Sequence, residues 1–370
     1  MKHNVQAVAA QFVLYGDFVS ARPYGSGHIN DTYAVTMDQS GVPVRYIFQR
    51  INHQVFKDPV GLMENVERVT RHIHHKLEEM NAPQASRRAL SVVPTRDGRS
   101  VYRDPAGNYW RVYLFVENAA TYDVIETPEQ AYQAARAFGE FQKYLVDLPG
   151  GRLNETIPDF HNTPKRYHAF AEALARDVAG RAADAQAEIA FVQAREAMTH
   201  VLVDLHRQKK IPERVTHNDT KLNNVMLDNE TNKGICVIDL DTVMPGLVLY
   251  DFGDLVRTST SPAAEDERDL SKVEMQMPMF EALARGYVES AGDFLTQAEL
   301  DYLAFSGKLI TFEIGLRFLT DYLQGDVYFK VHREGHNLDR CRTQFRLVQC
   351  IEEQEEAMNA LVRSLVPAAS

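Results

Sequence analysis

The sequence predicts an α+β fold with two lobes: a small N-terminal antiparallel sheet that carries one helix, and a larger, mainly helical C-terminal lobe. Up to about residue 115, short apolar segments alternate with polar residues and are bounded by Gly and Pro, as strands are. From about Pro128 the apolar residues recur at helical spacing. We therefore expect lobes at 1–117 and 118–370, with a hinge near 116–127 and no separate linker.

The N-terminal lobe is predicted to run strand, glycine loop, two strands, helix and two strands. The strands around the glycine loop begin near Phe18 and cover 32–36 and 44–51. Residues 64–80 form the helix, because the apolar side chains within them fall three and four positions apart. The last two strands are expected at 91–95 and 110–116, with Trp110 and Tyr113 in the core.

The C-terminal lobe is predicted to be helical with one interruption. Helices are expected at 130–146, twice within 164–208, and through 270–366 apart from turns at Gly325 and Gly335. Residues 213–257 are predicted to form strands and loops.

Composition excludes several classes of protein. The 370 residues carry a net charge of −11, which argues against nucleic acid or an anionic membrane as a partner of the whole surface. No segment of about 18 apolar residues could span a bilayer, and Met1–Tyr15 does not resemble a signal peptide. The three cysteines show no pairing pattern and are predicted to be free thiols. We expect a cytoplasmic protein.

The strand-and-loop segment contains the residues that carry chemistry. Phosphoryl transfer requires a group that orients and deprotonates the attacking hydroxyl, ligands for Mg²⁺, and positive charge near the transferred phosphoryl group of ATP. Asp219 is the predicted base, and Lys221 would reach the γ-phosphate. Asn224, five residues after Asp219, and Asp239, after an apolar strand, are the predicted metal ligands. Asp241 is expected on the same strand face as Asp239, sharing the metal or the substrate.

The alternative is that these Asp and Asn residues only form turns before a hairpin. That interpretation suits 228–232, but the combined pattern of His217, Asp219 and Asn224 followed by an apolar strand and Asp favours catalysis. A second candidate motif is Asp251-Phe252-Gly253, which lies 32 residues after Asp219, whereas Asp239 lies 20 after it. Asp239 fits the kinase interval better. Asp251 and Asp254 are therefore predicted to be buried carboxylates that brace residues 217–224, the predicted catalytic loop.

The motifs resemble those of the aminoglycoside phosphotransferase and choline kinase superfamily, and most closely those of bacterial N-acetylhexosamine 1-kinases. The resemblance is carried by segments 25–33, 48–52, 216–226, 237–246, 317–329 and 336–340. It implies a bilobal, protein-kinase-like fold. It also implies transfer of the γ-phosphate of ATP to the anomeric hydroxyl of GlcNAc or GalNAc, with Mg²⁺, giving a sugar 1-phosphate.

On the nucleotide side the sequence departs from the usual patterns. The loop Gly25-Ser26-Gly27 could cover phosphates with its backbone amides, although it lacks a third glycine. Arg50 is the predicted phosphate-pairing cation, with Gln49 facing the other way. The helix partner of Arg50 would be Glu64 or Glu67. Adenine is expected near the backbone of Phe115–Glu117, so that Glu117 contributes to nucleotide binding.

On the acceptor side, Glu313, Arg317 and Asp321 recur every four residues in an apolar helix. They could hydrogen-bond a sugar, or they could form an intrahelical ion-pair ladder. Arg317 is the first candidate for sugar binding, and the others share a polar or aromatic side chain: His28, Asp31, Asp241 and Tyr322.

Two other functions remain open from the sequence. Within the fold, the acceptor could be choline, an aminoglycoside or methylthioribose, of which choline would require an aromatic cage. From another class, the chain could be a nucleotide-binding pseudokinase. The complete set of Asp219, Lys221, Asn224 and Asp239 argues against that. The choice between GlcNAc and GalNAc, the number of Mg²⁺ ions and the oligomeric state stay open.

Overall fold

A computed structural model describes residues 3–25, 27 and 29–366. Its strands are, in chain order, β1 (Asp17–Pro23), β2 (Asp31–Gln39), β3 (Val42–Ile51), β4 (Tyr102–Arg103), β5 (Tyr109–Leu114), β6 (Ala119–Ala120), β7 (Arg214–Thr216), β8 (Val225–Asp228), β9 (Gly234–Val237) and β10 (Met244–Gly246). Its α-helices are α1 (Val5–Ala9), α2 (Pro59–Glu79), α3 (Pro128–Tyr144), α4 (Thr163–Arg176), α5 (Gln186–Gln193), α6 (Val201–Arg207), α7 (Val248–Ser259), α8 (Met277–Ala291), α9 (Gln297–Asp301), α10 (Leu303–Leu323) and α11 (His336–Leu365).

The α+β class with a small N-terminal antiparallel sheet and a larger helical C-terminal lobe is confirmed. The chain packs into two compact units. The first comprises Met1–Ala120, Tyr144–Pro158 and Met226–Pro245, and the second comprises Thr121–Lys143, Asp159–Val225 and Gly246–Ser370. Packing units and functional lobes are different divisions, so the lobes 1–117 and 118–370 stay a prediction.

The first unit is built on a five-stranded sheet of order β1-β2-β3-β5-β4. Neighbouring strands are antiparallel, and the register pairs Asp31 with Arg50 and Gln49 with Arg111. One face of the sheet packs with α1 into an apolar core that includes Phe12, Phe48, Trp110 and Val112. The predicted core positions of Trp110 and Tyr113 are confirmed, since both are buried.

Helix α2 holds the segment that carries Asp239 in place within this unit. It begins with a side-chain cap, because Asp58 accepts a hydrogen bond from the Gly61 amide and Pro59 occupies the first turn. Its buried Asn65 donates to the carbonyl oxygens of Asn154, at 2.8 Å, and Val243, at 3.0 Å. These bonds fix the chain just after the turn that holds Asp241.

The second unit is organised around α10. Its buried face packs with α4, α5 and α11 through Phe170, Ile189, Phe312, Leu316 and Phe345. Helix α10 also crosses α7 so closely that both crossing residues are glycines. A Cβ on Gly253 would lie 2.4 Å from the Ser306 carbonyl oxygen, and one on Gly307 would lie 2.6 Å from a Val256 methyl.

Three predicted elements differ from the structure. Residues 248–257, expected to be strand and loop, lie in α7, whose apolar residues follow helical spacing despite Gly253. Residues 164–208, expected to form two helices, form three, α4, α5 and α6. The strand expected at 91–95 is reduced to the isolated bridges Phe12–Thr95 and Val92–Tyr113, because Pro94 has no amide hydrogen for a ladder. The three cysteines are buried free thiols, as predicted. No helix within 3–25, 27 and 29–366 is long and apolar enough to cross a membrane.

Candidate active site

The segment after β7 is fixed by buried hydrogen bonds. Asn218 adopts a left-handed backbone conformation, with φ of 65°. The carboxylate of Asp251, in the first turn of α7, accepts the backbone N–H groups of His217, at 2.9 Å, and Asn218, at 2.7 Å. The Gln142 amide donates to the same carboxylate at 2.6 Å. Asp251 therefore braces the catalytic loop, as predicted, and the tripeptide that spells a kinase metal motif lies inside a helix.

Asp219 emerges from this loop with one third of its side chain exposed. The Asn224 amide nitrogen donates to the Asp219 backbone oxygen, at 2.9 Å, and to its carboxylate, at 3.0 Å. The Lys221 ammonium lies 3.1 Å from the same carboxylate oxygen. Burial alone would raise the pKa of Asp219, but Lys221 and His217 outweigh it and hold the pKa below its ordinary value. The carboxylate is therefore ionised at neutral pH.

Asp239 lies in the first unit, two residues after β9, in a left-handed conformation with φ of 58°. Asp241 lies in the short 3-10 turn Leu240–Thr242 that follows. The expectation that the two carboxylates share a strand face is therefore wrong, because the strand ends at Val237 and the alternation of sides ends with it.

A buried arginine that the sequence reasoning missed holds Asp241. Arg111 on β5 is 1% exposed, forms an ion pair with Asp241, and donates to the Gln49 side chain at 2.9 Å. Asn30 donates to the other Asp241 oxygen at 2.7 Å. Burial alone would lower the pKa of Arg111, but the Asp241 carboxylate outweighs burial and holds the pKa above its ordinary value. The guanidinium is therefore charged. The available signal was one charged residue within an otherwise apolar strand.

Arg50 and Asp31, predicted to bind phosphate and sugar respectively, form an ion pair with each other. Their atoms Nε and Oδ2 lie 2.5 Å apart across the β2–β3 register. The expectation that Glu64 or Glu67 pairs with Arg50 is wrong. Glu64 accepts a hydrogen bond from Asn154 at 3.1 Å, and Glu67 pairs with Arg71 one turn along α2.

The remaining nucleotide-side residues lie in loops that follow strands of the sheet. Gly25 has a φ of 79°, which favours glycine, and open space surrounds the Cα atoms of Gly25 and Gly27 within the described chain. Ser26 and His28, predicted to bind phosphate and sugar, lie outside the described residues. The Glu117 carboxylate pairs with Arg45, whose Nε lies 2.9 Å away.

Arg317 does not belong to an ion-pair ladder. Glu313 accepts hydrogen bonds from His161, at 2.7 Å, and Thr163, at 2.6 Å. Asp321 caps the chain after α10 by accepting the backbone N–H groups of residues 327, 328 and 329 at 2.8–3.0 Å. Within the described residues, neither carboxylate pairs with Arg317. The alternative of a ladder is therefore wrong, because tertiary partners occupy both carboxylates.

The Arg317 guanidinium is instead surrounded by aromatic rings. Its carbon lies 5.5 Å from the ring centres of Phe160 and Phe329 and 5.8 Å from that of Tyr328. A second cation is close: burial and the charge of Arg317 lower the pKa of Arg166. We call these five residues the Arg317 cluster. Tyr322, also predicted to bind sugar, instead packs in the core of the second unit beneath Arg181.

Residues 20–295, about three quarters of the chain, match the family model described as "Phosphotransferase enzyme family". The chain belongs to the phosphotransferase enzyme family. The predicted superfamily and the prediction of an enzyme are thus confirmed.

Several solved structures are similar to this chain in fold. A microcompartment-associated aminopropanol kinase has a TM-score of 0.61 at 18% identity. The aligned part covers 96% of this phosphotransferase and 98% of the kinase. An aminoglycoside phosphotransferase from Alicyclobacillus acidocaldarius has a TM-score of 0.59 at 14% identity, with coverage of 98% and 96%. A choline kinase from Cryptosporidium parvum has a TM-score of 0.54 at 13% identity, with coverage of 94% and 93%.

Proposed function

We propose that this phosphotransferase transfers the γ-phosphate of ATP to the anomeric hydroxyl of an N-acetylhexosamine, with Asp219 as the base. The ionised Asp219 carboxylate supports the first part of the proposal. A base that is already deprotonated can orient the acceptor hydroxyl and accept its proton as the phosphoryl group departs from ADP. Lys221, which lies 3.1 Å from Asp219, would carry positive charge toward the transferred group.

Mg²⁺ fits the oxygen donors that the two predicted ligands offer. Asn224 uses its amide nitrogen on Asp219, which leaves its side-chain oxygen as the donor atom. Asp239 offers a carboxylate. Among the residues that the structure describes, no group of three His, Cys, Asp or Glu side chains could hold a metal alone. Mg²⁺ commonly binds one or two protein oxygens together with nucleotide phosphates. When bound, it neutralises phosphate charge.

The observation that carries the choice of acceptor is the Arg317 cluster. A quaternary ammonium such as choline needs an open aromatic cage. Here the three rings already surround a guanidinium of the protein, and Arg166 adds a second positive charge. A cationic acceptor would be repelled. A sugar would bind favourably, since guanidinium groups donate hydrogen bonds to hydroxyls and to an acetamido carbonyl. The aromatic rings would cover the apolar face of the sugar.

The cluster is joined to the catalytic loop through bonds within the second unit. Arg317 lies one helical turn from Glu313 on α10. Glu313 binds His161, and the other ring nitrogen of His161 lies 3.2 Å from the Asn218 carbonyl oxygen. Asn218 directly precedes Asp219. An acceptor held at the cluster would therefore lie near the loop that carries the base.

A substrate panel tests the proposal. ADP release is measured with ATP, Mg²⁺ and GlcNAc, GalNAc, methylthioribose, choline, ethanolamine or an aminoglycoside, and ³¹P NMR identifies the product. We expect turnover with an N-acetylhexosamine and a phosphate on the anomeric oxygen, and a rate lower by about 10²- to 10⁴-fold in the Asp219→Asn variant. Preferred turnover of an amine would refute the choice of acceptor. Absence of turnover with every acceptor would favour a pseudokinase.

A further inference from the structure

His161 occupies a buried position between the catalytic loop and α10. It is 5% exposed, and its partner Glu313 is fully buried. Nδ1 lies 2.7 Å from a Glu313 carboxylate oxygen, and Nε2 lies 3.2 Å from the Asn218 carbonyl oxygen. The Thr163 hydroxyl donates to the second Glu313 oxygen at 2.6 Å. Neither His161 nor Glu313 takes a direct part in the proposed chemistry.

The hydrogen-bond inventory determines where the protons are. A carbonyl oxygen only accepts, so Nε2 must carry a proton. Burial alone would raise the pKa of Glu313, but His161 and Thr163 outweigh it and hold the pKa below its ordinary value, so this carboxylate also accepts. Nδ1 must then carry a proton as well. A ring that donates from both nitrogens is an imidazolium, and its charge is compensated by the buried carboxylate.

The other groups around the ring leave this proton balance unchanged. The Tyr250 ring on α7 lies 5.1 Å away between centroids, and burial raises the pKa of its hydroxyl, so it stays neutral. Phe160 meets the ring edge-on at 4.7 Å. Arg317, one turn from Glu313 on α10, and Arg166 on α4 add positive charge near the Glu313 carboxylate. Glu313 is the carboxylate within hydrogen-bond distance of the ring and therefore acts as its counter-charge.

The bond to Asn218 acts on the peptide group that leads into Asp219. The carbonyl of that peptide faces His161 Nε2, and its N–H, which belongs to Asp219, faces His217 Nδ1 at 3.3 Å. Two histidines therefore hold the same peptide plane from opposite sides. The preceding residue is in the left-handed region, with φ of 65°, which is uncommon for a residue other than glycine. Such a conformation persists only where its surroundings determine it.

We propose that His161, held as an imidazolium by Glu313, is a positioning residue that fixes the Asn218–Asp219 peptide and thereby orients the carboxylate of Asp219. This role rests on the proposed function of Asp219 as the base. It also joins the Arg317 cluster to the base, because Glu313 and Arg317 lie on the same face of α10. The His161–Glu313 pair would thus couple the position of the Arg317 cluster, where the acceptor is proposed to bind, to that of the catalytic loop.

The protonation state is tested first, without any assay of activity. The protein is labelled with ¹⁵N-histidine, and the ring resonances of His161 are assigned by their absence in His161→Phe. We expect both ring nitrogens to carry a proton at pH 7, because one faces the Glu313 carboxylate and the other faces the Asn218 carbonyl oxygen. In Glu313→Gln, which removes the charged acceptor, the ring should carry only one nitrogen-bound proton at pH 7. A neutral ring at pH 7 in the wild type, or a doubly protonated ring in Glu313→Gln, would overturn the proposal.

Kinetics then test the positioning role. His161→Phe keeps the ring shape and removes both donors, and we expect kcat to fall by about 10- to 100-fold with the KM for ATP within threefold, as misplacement of a catalytic group predicts. His161→Gln, whose amide can donate toward Asn218, should recover at least fivefold of that loss. The matched control is His206→Phe, which removes a histidine bonded to the Ile211 carbonyl in the same unit, and kcat should change less than twofold.

The outcomes separate this proposal from the proposed function. Should the sugar panel fail and another acceptor turn over, the same kcat comparison is made with that acceptor, and the protonation test stands as it is. Equal kcat in His161→Phe and wild type would refute the positioning role. A loss in His161→Phe that His161→Gln does not relieve would also refute it, since the loss would then come from packing.

Discussion

Asp219 is the proposed base, and its neighbours divide two tasks between them. Asn224 restrains it through both its backbone oxygen and its carboxylate, while Lys221 supplies charge at 3.1 Å. The restraint fixes the direction of the carboxylate, and the charge keeps it ionised. Because the pKa of Asp219 is lowered, its ionised fraction does not change between about pH 5 and 8.

Replacing the base by its neutral isostere tests this arrangement. We expect Asp219→Asn to lower kcat by about 10²- to 10⁴-fold and to leave the KM values largely unchanged, because general-base catalysis has this magnitude. The wild-type rate should show no acidic limb above about pH 5, since the depressed pKa lies below that range. The control is Asp204→Asn on α6, an exposed carboxylate paired with Arg207. A variant that retains more than about a tenth of the activity would exclude Asp219 as the base.

Asp239 and Asp251, both downstream of the proposed base, should respond differently to replacement by Asn. Asp239→Asn is expected to abolish Mg²⁺-dependent turnover in a folded protein, because a charged metal ligand is lost. Asp251→Asn should mainly lower the melting temperature, since this buried carboxylate accepts three hydrogen bonds. Activity is measured across a Mg²⁺ titration, and unfolding is measured by calorimetry. Exchanged phenotypes would reverse the assignment.

Arg317 tests where the acceptor binds. We expect Arg317→Ala to raise the sugar KM by about 10- to 150-fold, equivalent to roughly 1.5–3 kcal/mol for a charge-assisted hydrogen bond, and to leave the ATP KM within threefold. The control is Arg181→Ala, which removes an arginine paired with Asp326 and Tyr322 and should affect stability only. A normal sugar KM in Arg317→Ala would refute the acceptor site and leave the phosphotransferase assignment intact.

At the scale of elements, the crossing of α7 and α10 sets the position of Asp251. Gly253 brings the two helices close, because a Cβ there would meet the Ser306 carbonyl oxygen at 2.4 Å and an Ile310 side-chain carbon at 2.7 Å. Backbone cannot move aside as a flexible side chain can. The crossing thus fixes the helix whose first turn braces the catalytic loop.

Gly253→Ala should therefore destabilise the protein by about 1–3 kcal/mol, which is the usual cost of overpacking. We expect the melting temperature to fall by several degrees and kcat to fall with it, since the brace at Asp251 moves. Gly27→Ala serves as the stability control, because its added Cβ meets no described atom within 4 Å. Unchanged melting of Gly253→Ala would show that the two helices can separate without cost.

At the scale of the whole molecule, acid should weaken the fold. Hydrogen bonds from Thr231 and then Arg87 lower the pKa of Asp228 to about 2. A carboxyl group whose pKa is lower in the folded state stabilises the protein above its unfolded pKa, and this contribution is lost as the pH falls toward the folded value. Asp251 acts in the opposite direction, because burial raises its pKa.

We expect the melting temperature to decline as the pH falls from about 4 toward 2, since that window lies between the unfolded and folded pKa values of Asp228. In Asp228→Asn the decline should be shallower, because one titrating group is removed. Melting curves at several pH values on both proteins provide the measurement. Identical slopes would show that Asp228 does not contribute to acid sensitivity.

Much of the architecture was predictable because strands and helices follow local periodicity. The strands β2, β3 and β5 and the helices α2, α3, α10 and α11 occur where alternation or helical spacing indicated them. Helix α7 was missed, because Gly253 and the preceding loops resemble a strand-and-loop segment. Spacing alone could not show that this glycine serves a close helix crossing.

The sequence by itself determined the class of fold and the phosphotransferase motif, because both depend on residues that are close along the chain. Only the tertiary structure decided the partners of charged side chains. It paired Arg50 with Asp31, Arg111 with Asp241 and Glu313 with His161. These partners are 19 to 152 residues apart. Such pairs depend on how distant elements pack, which no local pattern of residue types records.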